Sequence, residues 1–168
     1  HAPIAIAALS AGINVVTEKP MATTYTDCLA MIDAADRHNR FVTVYHNRRL
    51  DPWFLTTRSV IEDGLLGEII EINTGINYGP TSRTWRGFKE ASGGLQFDWG
   101  AHLVDYTLHF HPGKIRAVAG YLYRAPDKPV EEVEDHAIVH IYFEDGKVAN
   151  ITSCGRGKIQ PDRYRIVG

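Results

Sequence analysis

The first 46 residues alternate between helical and strand patterns with short connections, and this order constrains the fold more than any other feature. Residues 3–11 form a helical pattern of small residues, and Gly12 follows where a C-terminal cap is expected. INVVT predicts a buried strand, a helix begins at Thr23 or Thr24, and FVTVYH predicts a second strand. Strands separated by helices pair in parallel, so this part is predicted to be α/β.

From about Asp51 the pattern changes to that of an α+β domain. PWFLTTRSVIEDG and QFDWGAHLVDYTLHFH predict helices, and Pro112-Gly113 ends the second. Strands are predicted over residues 68–79, 115–124, 135–143 and 147–154, and over RYRIVG at the end. Asp145-Gly146 favours a tight hairpin between the last two numbered strands. We therefore expect a mainly antiparallel, open sheet, with a Gly- and Ser-containing connection over 79–94.

The strand predicted over 68–79 alternates between an apolar and a polar face. The apolar face carries Ile70, Ile72, Ile76 and Tyr78, and the polar face carries Glu71, Asn73 and Asn77. The apolar face is expected to pack on helices, and the polar face to be solvated or to form an interface.

The domain boundary is predicted near residues 47–50, which separates a first domain, 1–47, from a second, 48–168. The sequence opens inside a helical pattern and closes on a strand pattern. We expect these residues to be the middle of a longer protein.

Composition excludes several classes of partner. Eighteen basic against 20 acidic residues give a formal net charge of -2, so a nucleic-acid partner is not expected. No apolar run approaches the roughly 18 residues of a membrane span. Cys28 and Cys154 have no metal-site or disulfide spacing, which suits a reducing compartment and predicts a cytoplasmic protein.

Four titratable side chains share one face of the helix that begins near Gln96, at an advance of about 100° per residue. They are Asp98, His102, Asp105 and His109. A solvated polar face would explain the pattern. Gly100, however, lies inside the helix at a cost of about 1 kcal/mol relative to Ala, which suggests close approach of backbone or ligand. We favour the functional interpretation.

Six segments recur here in a characteristic order: AGINVVTEKPMA, HNRRLDPWF, EDGLLGEIIEI, TWR, GGLQFDWGAHLVDYTLHF and EVEDHA. E-K-P after a strand, followed by G-G-x-x-x-D-x-G-x-H, is the most specific combination. In these segments the chain resembles the Gfo/Idh/MocA family, the glucose-fructose oxidoreductase and inositol dehydrogenase group. NRRLD is similar to the scyllo-inositol dehydrogenase branch.

The resemblance implies a fold, a reaction and partners. Residues 1–47 would be the C-terminal part of a dinucleotide-binding Rossmann domain, and 48–168 a substrate-binding and oligomerisation domain with an open sheet. The implied activity transfers a hydride between NAD or NADP and a secondary alcohol of a polyol or sugar, such as an inositol. The implied assembly is a homo-oligomer, a dimer or tetramer formed through the open sheet.

The resemblance also assigns a role to the E-K-P segment. Lys19 would lie between the nicotinamide ribose and the substrate hydroxyl, Glu18 near the nicotinamide, and Pro20 would be a cis residue that fixes the turn. Ligands of open α/β sheets bind at the carboxyl ends of the strands, which is where this segment falls.

The remaining implied site residues lie in the second domain. His102 would exchange the alcohol proton, and Asp98 would bind a substrate hydroxyl and influence the charge of the histidine. Arg48, Trp85 and Arg86 would border cofactor or substrate. No metal is expected.

Two alternatives remain at this point. Asp98, His102 and His109 would be the ligands of a metal-dependent hydrolase or lyase, although about 16 Å of helix rise separates the first from the last. The chain also contains no G-x-G-x-x-G turn, which leaves NAD against NADP undecided and would allow an inactive remnant that serves as a dimerisation module.

Overall fold

The computed structural model describes residues 1–79, 84–91, 93–126, 128–129 and 132–168. They divide into two compact units, His1–Asn47 and Arg48–Gly168. Part of the predicted connection 79–94 lies outside the described residues. No helix among them is both long enough and apolar enough to cross a bilayer.

The first unit contains two helices and two parallel strands. Its elements are α1 (Ala2–Ser10), β1 (Val15–Thr17), α2 (Tyr25–Arg37) and β2 (Val42–Val44). Val15 pairs with Val42, and the strands run parallel as predicted. Thr24 caps α2 by accepting a hydrogen bond from the backbone N–H of Asp27 at 3.1 Å. Met31 of α2 is buried against α1 in the small core of this unit.

The described residues of the second unit form two α-helices and a five-stranded sheet. After a 3₁₀ turn at Asn47–Leu50 come α3 (Pro52–Glu62), β3 (Glu71–Asn77), a 3₁₀ turn at Trp85–Gly87, a π-helical turn at Gln96–Gly100, α4 (Ala101–Phe110), β4 (Ile115–Tyr123), β5 (His136–Phe143), β6 (Val148–Cys154) and β7 (Tyr164–Val167). The predicted hairpin joins β5 to β6, with Gly146 at φ 87°.

The sheet has the strand order β4-β5-β6-β3-β7. Its pairs are antiparallel except β3 with β6, which run parallel. The predicted mainly antiparallel sheet is confirmed, and the parallel pair was not predicted. One face carries the core, in which Phe54 of α3 and Leu103, Tyr106 and Phe110 of α4 pack against the strands.

The predicted alternation of β3 holds inside the strand and is wrong at its ends. Ile72 and Ile76 are buried as expected, and Thr74 between them is buried too. Ile70 and Tyr78 are exposed because they flank β3 rather than belonging to it. Among the described residues, the opposite face of the sheet is open except at the end of β3, where Pro161 lies over the buried Gly75. One row across it joins five strands through Ala119, His140, Asn150, Asn73 and Arg165.

Candidate functional site

The start of the π-helical turn is fixed by a pair of glycines and one carboxylate. A Cβ on Gly93 would overlap the backbone carbonyl of Arg86, so no larger residue fits there. Gly94, at φ 133°, donates its backbone N–H to the same carbonyl at 3.0 Å. Glu134 accepts a hydrogen bond from the backbone N–H of Gln96 at 3.0 Å. These contacts hold the segment around Arg86 against the helix start.

Asp98 and Arg86 form an ion pair across this junction. Arg86 Nε lies 3.3 Å from Asp98 Oδ2, and the same guanidinium lies 4.6 Å from the centre of the Trp85 ring. Thr84 accepts a hydrogen bond from the Arg86 backbone N–H at 3.3 Å and so caps the short 3₁₀ turn. The structure therefore brings together three predicted site residues.

His102 is buried, with 5% of its surface exposed, and aromatic rings of its own helix flank it. The Trp99 ring meets it edge to face with centroids 5.8 Å apart, and the Tyr106 ring stacks on it at 6.4 Å. An imidazole held between two rings keeps one orientation, which a positioned acid or base requires.

The Trp99 ring is itself the meeting point of two guanidinium groups. Arg48 lies 4.4 Å from the ring centre and Arg163 lies 5.0 Å from it. Tyr78 packs on the same ring at 5.7 Å. Arg48 also pairs with Asp51 at 2.9 Å. We call Arg48, Arg86, Asp98, Trp99 and His102 the His102 site.

The predicted stripe of four titratable residues is divided in the structure. Asp105 binds Arg49 through both carboxylate oxygens, at 2.8 and 2.6 Å, and lies 3.9 Å from His109. Asp98 pairs with Arg86 instead. The physical reason is the π-helical turn, whose i→i+5 bonding changes the phase between Asp98 and the residues of α4.

Gly100 is explained by a side chain rather than by a ligand. The Gln96 side chain lies across the position where a Cβ of residue 100 would be. Gln96 then donates a hydrogen bond from Nε2 to Ser153 Oγ at 3.1 Å, which ties the helix start to β6.

Two phenols adjoin the His102 site: the buried Tyr106, which stacks on His102, and the half-buried Tyr164, which packs on Tyr106. Burial raises the pKa of the Tyr106 phenol, and the neighbouring Tyr164 and Asp51 raise it further while Arg48 lowers it. Burial likewise raises the pKa of Tyr164, against the nearby charge of Arg163. Both phenols stay protonated near neutral pH and cannot serve there as proton acceptors.

The first unit positions the E-K-P segment directly after β1. The Lys19-Pro20 peptide bond is cis, as the resemblance implied. The Pro20 carbonyl accepts a hydrogen bond from His1 Nδ1 at 3.0 Å, and Glu18 is exposed. The segment lies at the carboxyl end of β1 in a parallel strand pair, the place where open α/β sheets bind nucleotides.

The sequence analysis assigned no role to three residues of the site, Trp99, Glu134 and Arg163. Trp99 lies inside the quoted D-W-G segment and Glu134 inside EVEDHA, so both were visible but had no assigned role. Arg163 gave no signal, because only the folded chain brings it to Trp99. No group of three or more His, Cys, Asp or Glu side chains able to hold a metal ion occurs within the described parts of the chain.

Comparisons with known proteins agree with this architecture. The model of an oxidoreductase family with an NAD-binding Rossmann fold matches residues 1–46, and the GFO/IDH/MocA C-terminal domain matches residues 54–168. An uncharacterised oxidoreductase of Schizosaccharomyces pombe is 33% identical over 166 residues, which cover 92% of this chain and 45% of that protein. The scyllo-inositol 2-dehydrogenase (NADP(+)) IolW of Bacillus subtilis is 34% identical over 173 residues, 100% of this chain and 46% of its own length.

A solved structure shows the same fold. The NAD-binding protein from Listeria innocua is 33% identical, with a TM-score of 0.90 over 100% of this chain and 48% of that one. The chain thus spans about half the length of the proteins it matches. Because the two family models together cover both units, the chain belongs to the Gfo/Idh/MocA oxidoreductase family.

Proposed function

We propose that the protein is an NAD(P)-dependent oxidoreductase that acts on a secondary alcohol of a polyol or sugar, such as an inositol. The observation that carries the proposal is the burial of His102 between the rings of Trp99 and Tyr106, on the helix whose first turn holds the Asp98–Arg86 pair. In this proposal residues 1–47 belong to the nucleotide-binding domain and residues 48–168 bind the substrate. A bound nicotinamide dinucleotide would accept or supply the hydride.

The side chains of the protein exchange the hydroxyl proton of the substrate and stabilise the charge that develops on its oxygen. When the carbinol loses its hydride and becomes a carbonyl, a ring nitrogen of His102 accepts the hydroxyl proton, and in reduction it returns that proton. The Lys19 ammonium stabilises negative charge that develops on the reacting oxygen. Asp98, fixed by Arg86, accepts a hydrogen bond from a substrate hydroxyl.

The cofactor contacts proposed for this chain come from both units. Glu18, Lys19 and Pro20 border the nicotinamide end in this proposal, because they follow β1 at the carboxyl end of the parallel strand pair. Arg48, Trp85 and Arg86 supply cationic and aromatic surface toward cofactor or substrate. The similarity to an NADP(+)-dependent enzyme, together with the NAD-binding family model, leaves both dinucleotides as candidates.

We also propose that the protein self-associates through the open face of the sheet, as a dimer or tetramer. Polar groups there bond to one another: Asn150 binds His140 at 2.7 Å and donates to Glu71 at 2.9 Å and to Asn73 at 3.0 Å. A face whose polar groups are already satisfied loses little when water leaves it. Free Cys28 and Cys154 agree with a cytoplasmic location.

The test uses the native polypeptide, with any residues that lie outside this sequence, and a panel of polyols and sugars with each dinucleotide. His102→Ala should lower turnover on the order of 10²- to 10⁴-fold and leave cofactor affinity unchanged. Lys19→Ala should lower turnover and weaken cofactor binding, because Lys19 is proposed to touch both. His109→Ala, an exposed histidine of the same helix, is the matched control. Near wild-type turnover of His102→Ala from about pH 6 to pH 9 would contradict the proposal.

A further inference from the structure

Arg163 is a half-buried guanidinium at the edge of the His102 site. It precedes β7, and its guanidinium carbon lies 5.0 Å from the centre of the Trp99 ring. The same indole contacts the His102 ring at 5.8 Å. Only one aromatic ring therefore separates Arg163 from the imidazole that we propose exchanges the substrate proton.

The neighbouring arginines each have a carboxylate partner. Arg48 pairs with Asp51 at 2.9 Å, Arg86 with Asp98 at 3.3 Å and Arg49 with Asp105 at 2.6 Å. In the part of the chain that the structure describes, Arg163 forms no ion pair, and its guanidinium lies over the π face of Trp99. Arg48 and Arg163 thus converge on one ring with Asp51 as the accompanying carboxylate, which leaves one positive charge uncompensated.

A second group of basic residues, in a cleft of the same unit, differs from Arg163 in its ion pairing. Lys128, Arg156 and Lys158 line a cleft of about 470 Å³ together with Gly79 and Asp135. Lys128 and Arg156 are both paired with the buried Asp135, at 2.8 and 3.1 Å. Asp135 is thus the counter-ion of two of the three basic residues of that cleft, whereas Arg163 has no carboxylate within ion-pair distance among the described residues.

We propose that the missing counter-ion is a carboxylate of the substrate, so that the protein acts on sugar acids, polyhydroxylated carboxylic acids such as uronates or aldonates. This inference rests on the proposed oxidoreductase function. A guanidinium presents two parallel N–H donors that match the two oxygens of a carboxylate, and a partly desolvated arginine favours such a partner. One uncompensated positive charge matches one carboxylate better than a phosphate monoester, which carries about -1.5 to -2 at neutral pH.

In this arrangement Arg163, assisted by Arg48, holds the acid end of the substrate while His102 and Asp98 meet its hydroxyls. Arg163 is a specificity-determining residue that contacts the substrate. It contributes to the recognition of acids over neutral sugars rather than to the redox step itself. A purely structural role for Arg163, packing on Trp99, would affect neutral and acidic substrates equally.

The experiment compares kcat/KM of the native polypeptide for matched pairs, glucose with glucuronate and galactose with galacturonate, and for glucose 6-phosphate. The acid of the productive pair should exceed its neutral partner by at least about tenfold. Arg163→Gln should lower kcat/KM for the acid on the order of 30-fold to 100-fold, the usual loss for a truncated charge pair, and should leave the neutral sugar within about threefold. Arg163→Lys should retain part of the preference for the acid, because lysine keeps the positive charge but lacks the two parallel N–H donors of the guanidinium. Arg58→Gln, on the exposed surface of α3, is the control.

Three results would overturn the inference while leaving the redox function in place. They are equal kcat/KM for the neutral and the acidic sugar of a pair, equal losses of kcat/KM for both sugars in Arg163→Gln, and a preference for the sugar phosphate. Absence of turnover with every substrate would instead overturn the proposed function. Calorimetry separates the two cases. If the wild type binds a uronate and Arg163→Gln does not, the Arg163 assignment is supported even without turnover. If the two proteins bind the uronate equally, or neither binds it, the assignment is refuted.

Discussion

At the scale of single residues, Trp99 organises the His102 site. Its ring receives two guanidinium groups, supports Tyr78 and meets the edge of His102. Cation–π contacts contribute about 0.5 to 2 kcal/mol each, the larger values applying where water is excluded. One side chain thus contacts both the imidazole and two cations that come from distant parts of the sequence.

The protonation state of Tyr106 bears on whether Tyr106 or His102 is the acid/base of the site. Because burial raises the pKa of its phenol, Tyr106 stays neutral over the range in which a typical imidazole titrates. Its ring stacks on His102, so we assign it a packing role. Of these two stacked side chains, the histidine is the one suited to exchange a proton near neutral pH.

Asp135 is the residue whose ionisation should make stability depend on pH. Burial alone would raise the pKa of its carboxyl, but Lys128, the backbone N–H of Ala125 and Arg156 together hold that pKa below its ordinary value. A carboxyl with a lowered folded-state pKa stabilises the fold above its unfolded pKa of about 3.9, and this stabilisation is lost as pH falls through the folded pKa.

Asp135→Asn should therefore lower the free energy of unfolding by about 2 to 4 kcal/mol at pH 7, since it leaves Lys128 with a weaker set of partners. The difference from wild type should be complete above about pH 5 and shrink below about pH 4, as the wild-type carboxyl also loses its charge. Urea unfolding at several pH values measures it. Glu144→Gln, at an exposed turn position, is the control. A difference independent of pH would show that the charge of Asp135 is not responsible.

At the scale of elements, the junction between the Trp85–Gly87 turn and the Gln96–Gly100 π-helical turn depends on Gly93. A Cβ there would overlap the Arg86 carbonyl and lie 2.9 Å from the carbonyl oxygen of Phe88. Both obstacles are backbone atoms, which cannot rotate away as a side chain could. Because residue 93 has no side chain, the Arg86 backbone can pack against it. This contact fixes the position of Arg86 and of its ion-pair partner Asp98.

Gly93→Ala should destabilise the protein by about 2 kcal/mol or more and reduce turnover by displacing Arg86 from Asp98. Gly120→Ala tests the same chemical change where it should be harmless, because the nearest heavy atom to a Cβ there is the Ile138 carbonyl oxygen at 3.9 Å. Thermal unfolding and steady-state kinetics of both variants decide the matter. Equal stability of the two would show that the turn adapts to a methyl group.

Local sequence signals predicted local structure well in this chain. The cap at Thr24, the parallel strands of the first unit and the Asp145-Gly146 hairpin all depend on residues close in sequence or on short crossover connections. The parallel pairing of β3 with β6 and the approach of Arg163 to Trp99 depend on the whole second unit. The π-helical turn changes helix phase without a composition signal, so the predicted stripe on α4 was only partly right.

At the scale of the whole molecule, each of the two units contributes a different part of the proposed chemistry. The first presents Lys19 after a parallel strand, and the second presents His102 on a helix packed against a sheet. The open face of that sheet is the surface that we propose for assembly. Neighbouring residues of β4 allow its two faces to be tested separately.

Tyr121 and Leu122 are adjacent, similarly exposed at 54% and 61%, and lie on opposite faces of the sheet. Leu122 pairs with the buried Ala137 and so belongs to the helix-covered face, whereas Tyr121 pairs with Ile138 on the open face. If the open face is the interface, Tyr121→Lys places a charge in it and should convert oligomer to monomer, and Leu122→Lys should not. Light scattering at micromolar concentration measures both. A wild-type monomer, or dissociation by Leu122→Lys alone, would contradict assembly through the open face.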